Sequence, residues 1–261
     1  MTWKLTIAYR GGSYAGWQRQ ENALSVQQVV EEALARLLAR PAVTVVGAGR
    51  TDAGVHARAQ VAHLQGPAGA DLPPKALVLG TNRFLPEDVR VMAAARVPDG
   101  FHARKHAVGK TYLYRLRRTD VLSPLEAPYV VRLARDVDLG ALREAAAALP
   151  GRHDFTAFAL AGGSHGQPFR TVERADWIEE PTGAGVELRF RVCGEGFLRG
   201  MVRSLVGTLV EVGEGRRTVE AFRRLLEGRP RAEAGPTAPA RGLSLEAVRY
   251  GPEWTPSDEY P

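Results

Sequence analysis

Gly47-Ala48-Gly49-Arg50-Thr51-Asp52-Ala53-Gly54-Val55-His56-Ala57-Arg58-Ala59-Gln60-Val61-Ala62-His63-Leu64 places three glycines, one carboxylate and two arginines in eighteen positions. Val43-Thr44-Val45-Val46 before it is a short β-type run, and Ala59, Val61 and Leu64 after it continue a strand pattern. Gly47, Gly49 and Gly54 interrupt any continuous helix or ladder between the two. The stretch therefore predicts two strands with Asp52 on the loop they hold. Arg50 beside it keeps the acid ionised in the presence of phosphates, the setting that a reaction on an anionic polymer needs. From this stretch alone, an Asp bonding its own loop amides in an Asx-turn is an equal reading.

Outward from this loop, the first half predicts a strand over 4–10, a helix over 25–39 and strands over 43–46 and 59–65. A helix over 74–82 and a strand over 89–96 complete it. Ser25 is an N-cap type, and Val26, Val29, Val30, Ala33, Leu34, Leu37 and Leu38 recur at helical spacing. The order is βαββαβ. The second half predicts a strand over 111–116, a helix over 139–149, a hairpin of strands 172–179 and 186–193, helices over 197–212 and 219–227, and a last strand over 243–250. With one extra helix, the order repeats. The economical α+β architecture is two tandem ferredoxin-like halves, antiparallel sheets with helices on one face and a positively charged active-site cleft between them. Residues 1–105 then carry the Asp loop and residues 106–261 carry the second half of the site, with the boundary near 98–110.

The 261 residues suffice for such a core, and the net charge is +6. Only Lys4, Lys75, Lys105 and Lys110 are lysines among 35 basic residues, so the basic side is nearly all arginine. Guanidinium groups suit phosphate and stacked bases, although a G- and C-rich genome also favours Arg over Lys. Cys193 is the only cysteine, which excludes an internal disulfide and a cysteine metal cage and points to a reducing, cytoplasmic setting. The start, Met1 to Tyr9, alternates rather than forming a signal-type apolar run, and no run reaches membrane length.

Further candidates lie in the second half. In Lys110-Thr111-Tyr112-Leu113-Tyr114-Arg115, strand alternation puts Tyr112 and Tyr114 on one face. Either ring can stack a flipped base, worth about 1–3 kcal/mol, or serve as a core tyrosine. In Gly194–Gly207, Leu198, Val202, Leu205 and Leu209 make an apolar stripe, and Arg199 and Arg203 share an adjacent helical face. Arg203 either pairs with Asp52 or snorkels over its apolar neighbours. The six histidines lack metal-ligand spacing, and no phosphate-cradle or dinucleotide fingerprint occurs, so no cofactor or metal is expected.

Taken together, these segments resemble the tRNA pseudouridine synthase A family. Arg50-Thr51-Asp52-Ala53-Gly54-Val55-His56-Ala57 looks like its nucleophile motif. Five others follow the family order: Tyr14-Ala15-Gly16-Trp17-Gln18-Arg19-Gln20, Phe101-His102-Ala103-Arg104, His153-Asp154-Phe155-Thr156-Ala157-Phe158, Gly196–Gly207, and Thr237-Ala238-Pro239-Ala240-Arg241-Gly242-Leu243. The resemblance spans nearly the whole chain.

It implies a cofactor-free isomerase that breaks the uracil–ribose C–N bond and rejoins the base through carbon, at positions 38, 39 and 40 of the tRNA anticodon stem-loop. Asp52 is then the nucleophile, on either the ribose carbon or the base ring. Tyr112 contacts the flipped uracil and serves the later proton removal, Arg203 pairs with Asp52, and Arg50 enters the space that the base vacates. RNA contacts are implied for Phe101, His102, Ala103, Arg104, Lys105 and Lys110, for Ser164, His165, Gln167 and Arg170 of one loop, and for Arg199. The resemblance also implies a homodimer cradling tRNA. The chain departs from the family pattern at Lys105, where an aromatic is usual, and at Lys110-Thr111, where an Arg-Tyr pair is usual. No second base-flipping arginine aligns around 66–75. A non-catalytic RNA-binding protein of the same fold is the alternative; an Asp-based glycosidase wants a second carboxylate about 5–10 Å away, and none is apparent.

Overall fold

Alternation of Trp3, Leu5, Ile7 and Tyr9 with polar neighbours makes the first strand, β1 (Thr2–Tyr9), whose odd positions are all buried. The computed structural model describes residues 2–64, 72–162, 167–183, 185–254, 256 and 260. Its mixed α+β chain divides into two compact units, Met1–Gly109 with Leu245–Pro261, and Lys110–Ser244. A cut at 105/106 would instead leave the last strand with the second half.

In the first unit, α1 (Val26–Leu37) follows β1, capped by the Ser25 hydroxyl, which accepts from the Gln28 amide. Then come β2 (Val45–Gly47), β3 (His56–Leu64), α2 (Pro74–Asn82) and β4 (Val89–Val97). β1 pairs antiparallel with both β3 and β4, and β2 pairs antiparallel with the C-terminal half of β3. The order β4-β1-β3-β2 is the split βαβ arrangement that the element order predicted. The last strand, β10 (Leu243–Tyr250), also lies beside β3. Helix α1 is shorter than its apolar pattern, ending at Leu37 with Leu38 and Ala39 in the following turn.

The polar side of α1 is used as well. Gln27 and Glu31 are buried; Gln27 Nε2 donates to Glu31 Oε1 and to the Val45 carbonyl, while Glu31 Oε1 accepts from the Val45 amide. Arg19 completes the junction with a 3.0 Å bond to Glu31 Oε2. These bonds tie α1 to β2, the strand that launches the Asp52 loop. No periodicity marks them, because two polar residues on an apolar helix read as solvent-facing until a strand covers them.

In the second unit, β5 (Ala107–Arg118) pairs antiparallel with β9 (Gly185–Gly194), β9 with β8 (Phe169–Thr182), and β8 with β7 (Gly151–Asp154). The β8–β9 hairpin is tighter than its turn residues suggest, with Thr182 directly opposite Gly185. Two strands escaped the sequence reading. β7 has only four residues, and β6 (Val131–Leu133) has three and joins β5 in parallel, so this unit is not purely antiparallel. Its helices are α3 (Leu139–Ala146), α4 (Met201–Gly213) and α5 (Val219–Arg224). α4 begins at Met201, not at Phe197. Gly200 precedes it at φ +70°, a left-handed conformation in which a Cβ would stand 2.4 Å from Leu160 Cδ1. No helix among the described residues is long and apolar enough to cross a membrane.

Candidate active site

The Asp52 loop leaves β2 at Gly47 and enters β3 at His56. Its turn is closed by the main chain, the Val55 amide donating to the Asp52 carbonyl at 3.1 Å. Asp52 is half-buried and Arg50 is exposed. The loop is held from below by the segment after β1. The Trp17 amide donates to the Thr51 carbonyl (3.2 Å), the Gly54 amide to the Tyr14 carbonyl (3.3 Å), and the Gly11 amide to His56 Nδ1 (3.0 Å). Gly16, at φ +98°, lets the two backbones meet: a Cβ there would lie 2.5 Å from the Thr51 carbonyl oxygen. Trp17, 1% exposed, fills the space beside Gly47, and Tyr14 donates to Asp88 Oδ1 at 2.6 Å. The Tyr14–Gln20 motif is thus the floor of the loop.

The segment 101–106 is shaped by three imidazoles acting as acceptors. His63 Nδ1 accepts from the Ala103 amide, His102 Nδ1 from the Arg104 amide, and His106 Nδ1 from the His102 amide, each at 3.1–3.2 Å. His106 stacks on Trp254, centroids 4.4 Å apart. Phe101 and Ala103 sit with Ala48, Val61 and Val97 in a buried cluster covered by Val248, Tyr250 and Trp254. Both side chains pack inward, and the exposed side chains of this segment are Arg104 and Lys105, with His102 half-buried.

Burial pushes the His63 imidazole from 6.5 down to about 4, with the neighbouring His102 adding to the effect and a hydrogen bond at Val46 opposing it. A lowered folded value means that the unfolded chain takes up the proton first as the pH falls. The stability contributed by neutral His63 is therefore complete above about pH 6.5 and is lost as the pH falls through about 4. Melting midpoints should decline over that window and decline less in His63→Asn, whose side-chain oxygen accepts the Ala103 bond without titrating; equal slopes would assign the decline to other groups.

In the second unit, Tyr112 lies on β5, buried, with its ring edge-on to Phe197 at 5.2 Å. Lys110 begins the same pairing opposite Gly194. Tyr114 is fully buried and donates its hydroxyl to the Pro239 carbonyl at 2.7 Å, so of the two tyrosines it is the structural one. Arg203 on α4 is clamped by the segment before β10: its carbonyl accepts from the Ala238 amide (3.1 Å) and its Nε donates to the Ala238 carbonyl (2.8 Å), which orients the guanidinium plane. The segment 229–241 is in this way a support for Arg203 and Tyr114. Sequence reasoning missed it because carbonyl acceptors carry no residue-type signature.

Leu198, Val202, Leu205 and Leu209 are buried, as their spacing predicted. Arg199, however, precedes α4 and is exposed, donating to the Ala161 carbonyl at 3.0 Å, so it shares no helical face with Arg203. Arg170 on β8 is half-buried and donates to the Gln167 and Phe169 carbonyls. Ser164 and His165 lie outside the described residues. His153-Asp154-Phe155-Thr156-Ala157-Phe158 is structural: Asp154 Oδ1 accepts from the Thr156 amide and hydroxyl, and Phe155 and Phe158 are fully buried. No group of three or more metal-ligating side chains occurs among the described residues.

The sequence profile of a family described as tRNA pseudouridine synthase matches residues 5–104 and 145–251. The chain is 48% identical over 250 residues to the tRNA pseudouridine synthase A of Syntrophotalea carbinolica, covering 96% of each. It is 45% identical to that of Myxococcus xanthus, covering 95% of this chain and 91% of the relative. For the protein of the same name from Latilactobacillus sakei the identity is 40%, with 95% and 98% covered.

Proposed function

Because the chain belongs to the tRNA pseudouridine synthase family, we propose that it isomerises uridines of tRNA to pseudouridine, with Asp52 as nucleophile and Tyr112, Arg203 and Arg50 as its partners in the site. The observation that carries this reading is the full-length likeness to synthases of this name, together with a half-exposed carboxylate on a loop braced at Thr51 and Gly54. The reaction conserves atoms. The N1–C1′ bond breaks, the uracil turns, a C5–C1′ bond forms, and the proton lost from C5 balances the one gained at N1. Such a reaction needs a nucleophile, a base and a means of holding the uracil outside its helix, and these are the roles assigned here.

Asp52 attacks either the ribose carbon or the base ring. Arg203 is the guanidinium assigned to Asp52 as its partner, and it comes pre-oriented by Ala238. Tyr112, edge-on to Phe197, offers a ring to the flipped uracil and an oxygen for the C5 proton. Arg50, exposed beside Asp52, fills the gap left in the RNA stack. The exposed Arg104, Lys105 and Arg199, with His102, Lys110, Gln167 and Arg170, contact the tRNA backbone. We place the target uridines at positions 38, 39 and 40 of the anticodon arm, the setting in the cytoplasm, and the working form as a homodimer.

Incubation with an unmodified tRNA transcript, followed by carbodiimide labelling and primer extension, should give stops at anticodon-arm uridines. Tight, salt-sensitive binding with no labelled position would favour the RNA-binding alternative instead.

A further inference from the structure

Thr51, the residue before Asp52, is held by main chain and side chain at once. Its carbonyl takes the Trp17 amide, and its hydroxyl is hydrogen-bonded to the Tyr9 hydroxyl at 2.8 Å. Tyr9 is 4% exposed and Thr51 6%. Tyr9 is the last residue of β1, and the register with β3 shifts just before it: Ile7 lies opposite Gln60 but Tyr9 opposite Ala57. That extra residue on β3 is a bulge, a device that re-aims a side chain. Gln60 stands at the bulge and joins the same polar centre, its Nε2 donating to the Gly49 carbonyl at 2.9 Å. Trp17 closes it from one side, 6.0 Å from the Tyr9 ring.

A buried hydroxyl in this place has two uses, chemistry or geometry. Burial raises the Tyr9 phenol above its ordinary value, the bonds from Thr51 and Gln60 only partly opposing it, so it stays protonated and does not serve as a base. Geometry remains. Loop carboxylates are mobile unless the neighbouring backbone is pinned, and a reacting group displaced by about 1 Å loses on the order of 10²-fold in rate.

We propose that Tyr9 is a positioning residue for Asp52: its hydroxyl pins the Thr51 side chain, and Thr51 sets the direction in which the next residue leaves the loop. This rests on Asp52 being the nucleophile. The route is short, from Tyr9 Oη to Thr51 Oγ1 and then one peptide unit to the Asp52 Cα. It leaves RNA binding untouched, because neither partner is exposed.

The test compares Tyr9→Phe, Thr51→Val and Thr51→Ser in the full chain, measuring kcat and KM on a tRNA transcript. Y9F removes one oxygen from a ring that stays buried, and T51V replaces the hydroxyl by a methyl of similar volume. Each should lower kcat about tenfold or more with KM for tRNA within about twofold. T51S, which keeps the hydroxyl, should lose far less, and the Y9F/T51V double variant should lose no more than either single one, since both break one link. Normal kcat in Y9F and T51V, while Asp52→Ala is inactive, would overturn the positioning role alone. Activity in Asp52→Ala would instead overturn the assignment of the nucleophile. Losses in KM rather than kcat, or additive losses in the double variant, also count against the proposal.

Discussion

Replacing Asp52 by Ala is expected to abolish pseudouridine formation, with a rate loss on the order of 10⁴-fold or more, while tRNA still binds. Loss of a nucleophile removes the covalent route altogether, whereas most of the attraction between a basic protein and tRNA comes from phosphate contacts that a carboxylate opposes. The fold should survive. Asp52 is half-buried, and the loop bonds made by the Thr51 carbonyl and hydroxyl, the Gly54 and Val55 amides and the Asp52 carbonyl all survive the substitution. Asp52→Asn is the stricter test, since it keeps shape and loses only charge and nucleophilicity. Single-turnover labelling of a tRNA transcript reads the chemistry, and filter binding at two salt concentrations reads the affinity. Pseudouridine at the wild-type rate in either variant would sink the assignment of Asp52, and wild-type activity together with unchanged binding would move the search to another carboxylate.

The largest loss of stability is expected at Glu187. This carboxylate on β9 is 0% exposed and accepts from Arg115 Nε and Nη2 (2.8 and 2.9 Å), Arg117 Nη2 (3.1 Å) and Arg189 Nε (2.6 Å). Strand register makes it necessary. Arg117 lies directly opposite Glu187, and Arg115 directly opposite Arg189, so two like charges face each other across the ladder with one buried acid between them. Arg117, 1% exposed, has one further anion, Glu126, at 2.6 Å. Glu187→Ala therefore leaves Arg115 and Arg189 facing each other without the acid between them and Arg117 with Glu126 alone, and should cost about 3–5 kcal/mol, a large part of the 5–15 kcal/mol that typical domains possess.

Burial alone would raise the Glu187 carboxyl, but the hydrogen bonds and charges of Arg115 and Arg189 together outweigh it and hold the group down at about 2, against 4.5 for an ordinary glutamate. A lowered acid contributes stability that is complete above about pH 4.5 and is lost as the pH falls toward 2. Urea unfolding between pH 7 and 2.5 should show that loss, and Glu187→Gln should be less stable at pH 7 and flatter below 4.5. A Glu187→Ala protein within about 0.5 kcal/mol of wild type would show that the arginines find water instead.

Much of the first unit was legible because its signals are local. The strand expected over 4–10 and the helix expected behind the Ser25 cap correspond to β1 and α1, which run over Thr2–Tyr9 and Val26–Leu37, while the limits of α2 and β10 matched their patterns to the residue. The short strands β6 and β7 were not legible, since three or four residues carry no period and become strands only by pairing with β5 and β8. Arg199 was misplaced because a 3.6-residue pattern runs through Gly200, whose left-handed backbone starts the helix one turn late. Phe101 and Ala103 were expected at the RNA because motif residues draw attention, yet their neighbours bury them.

By itself the sequence determined the βαββαβ order of the first unit, the loop that carries Asp52 and the family to which the chain belongs, since these depend on residue types at fixed spacing. Only the tertiary structure decided what holds that loop and what holds Arg203. The Tyr9 hydroxyl on Thr51, Gly16 against the Thr51 carbonyl, Glu31 on the Val45 amide and Ala238 on Arg203 are contacts between residues far apart in the chain. They are made by backbone groups that every residue shares or by single buried polar atoms, so no pattern along the chain announces them. They exist because burying a polar atom without a partner costs more than the order needed to supply one.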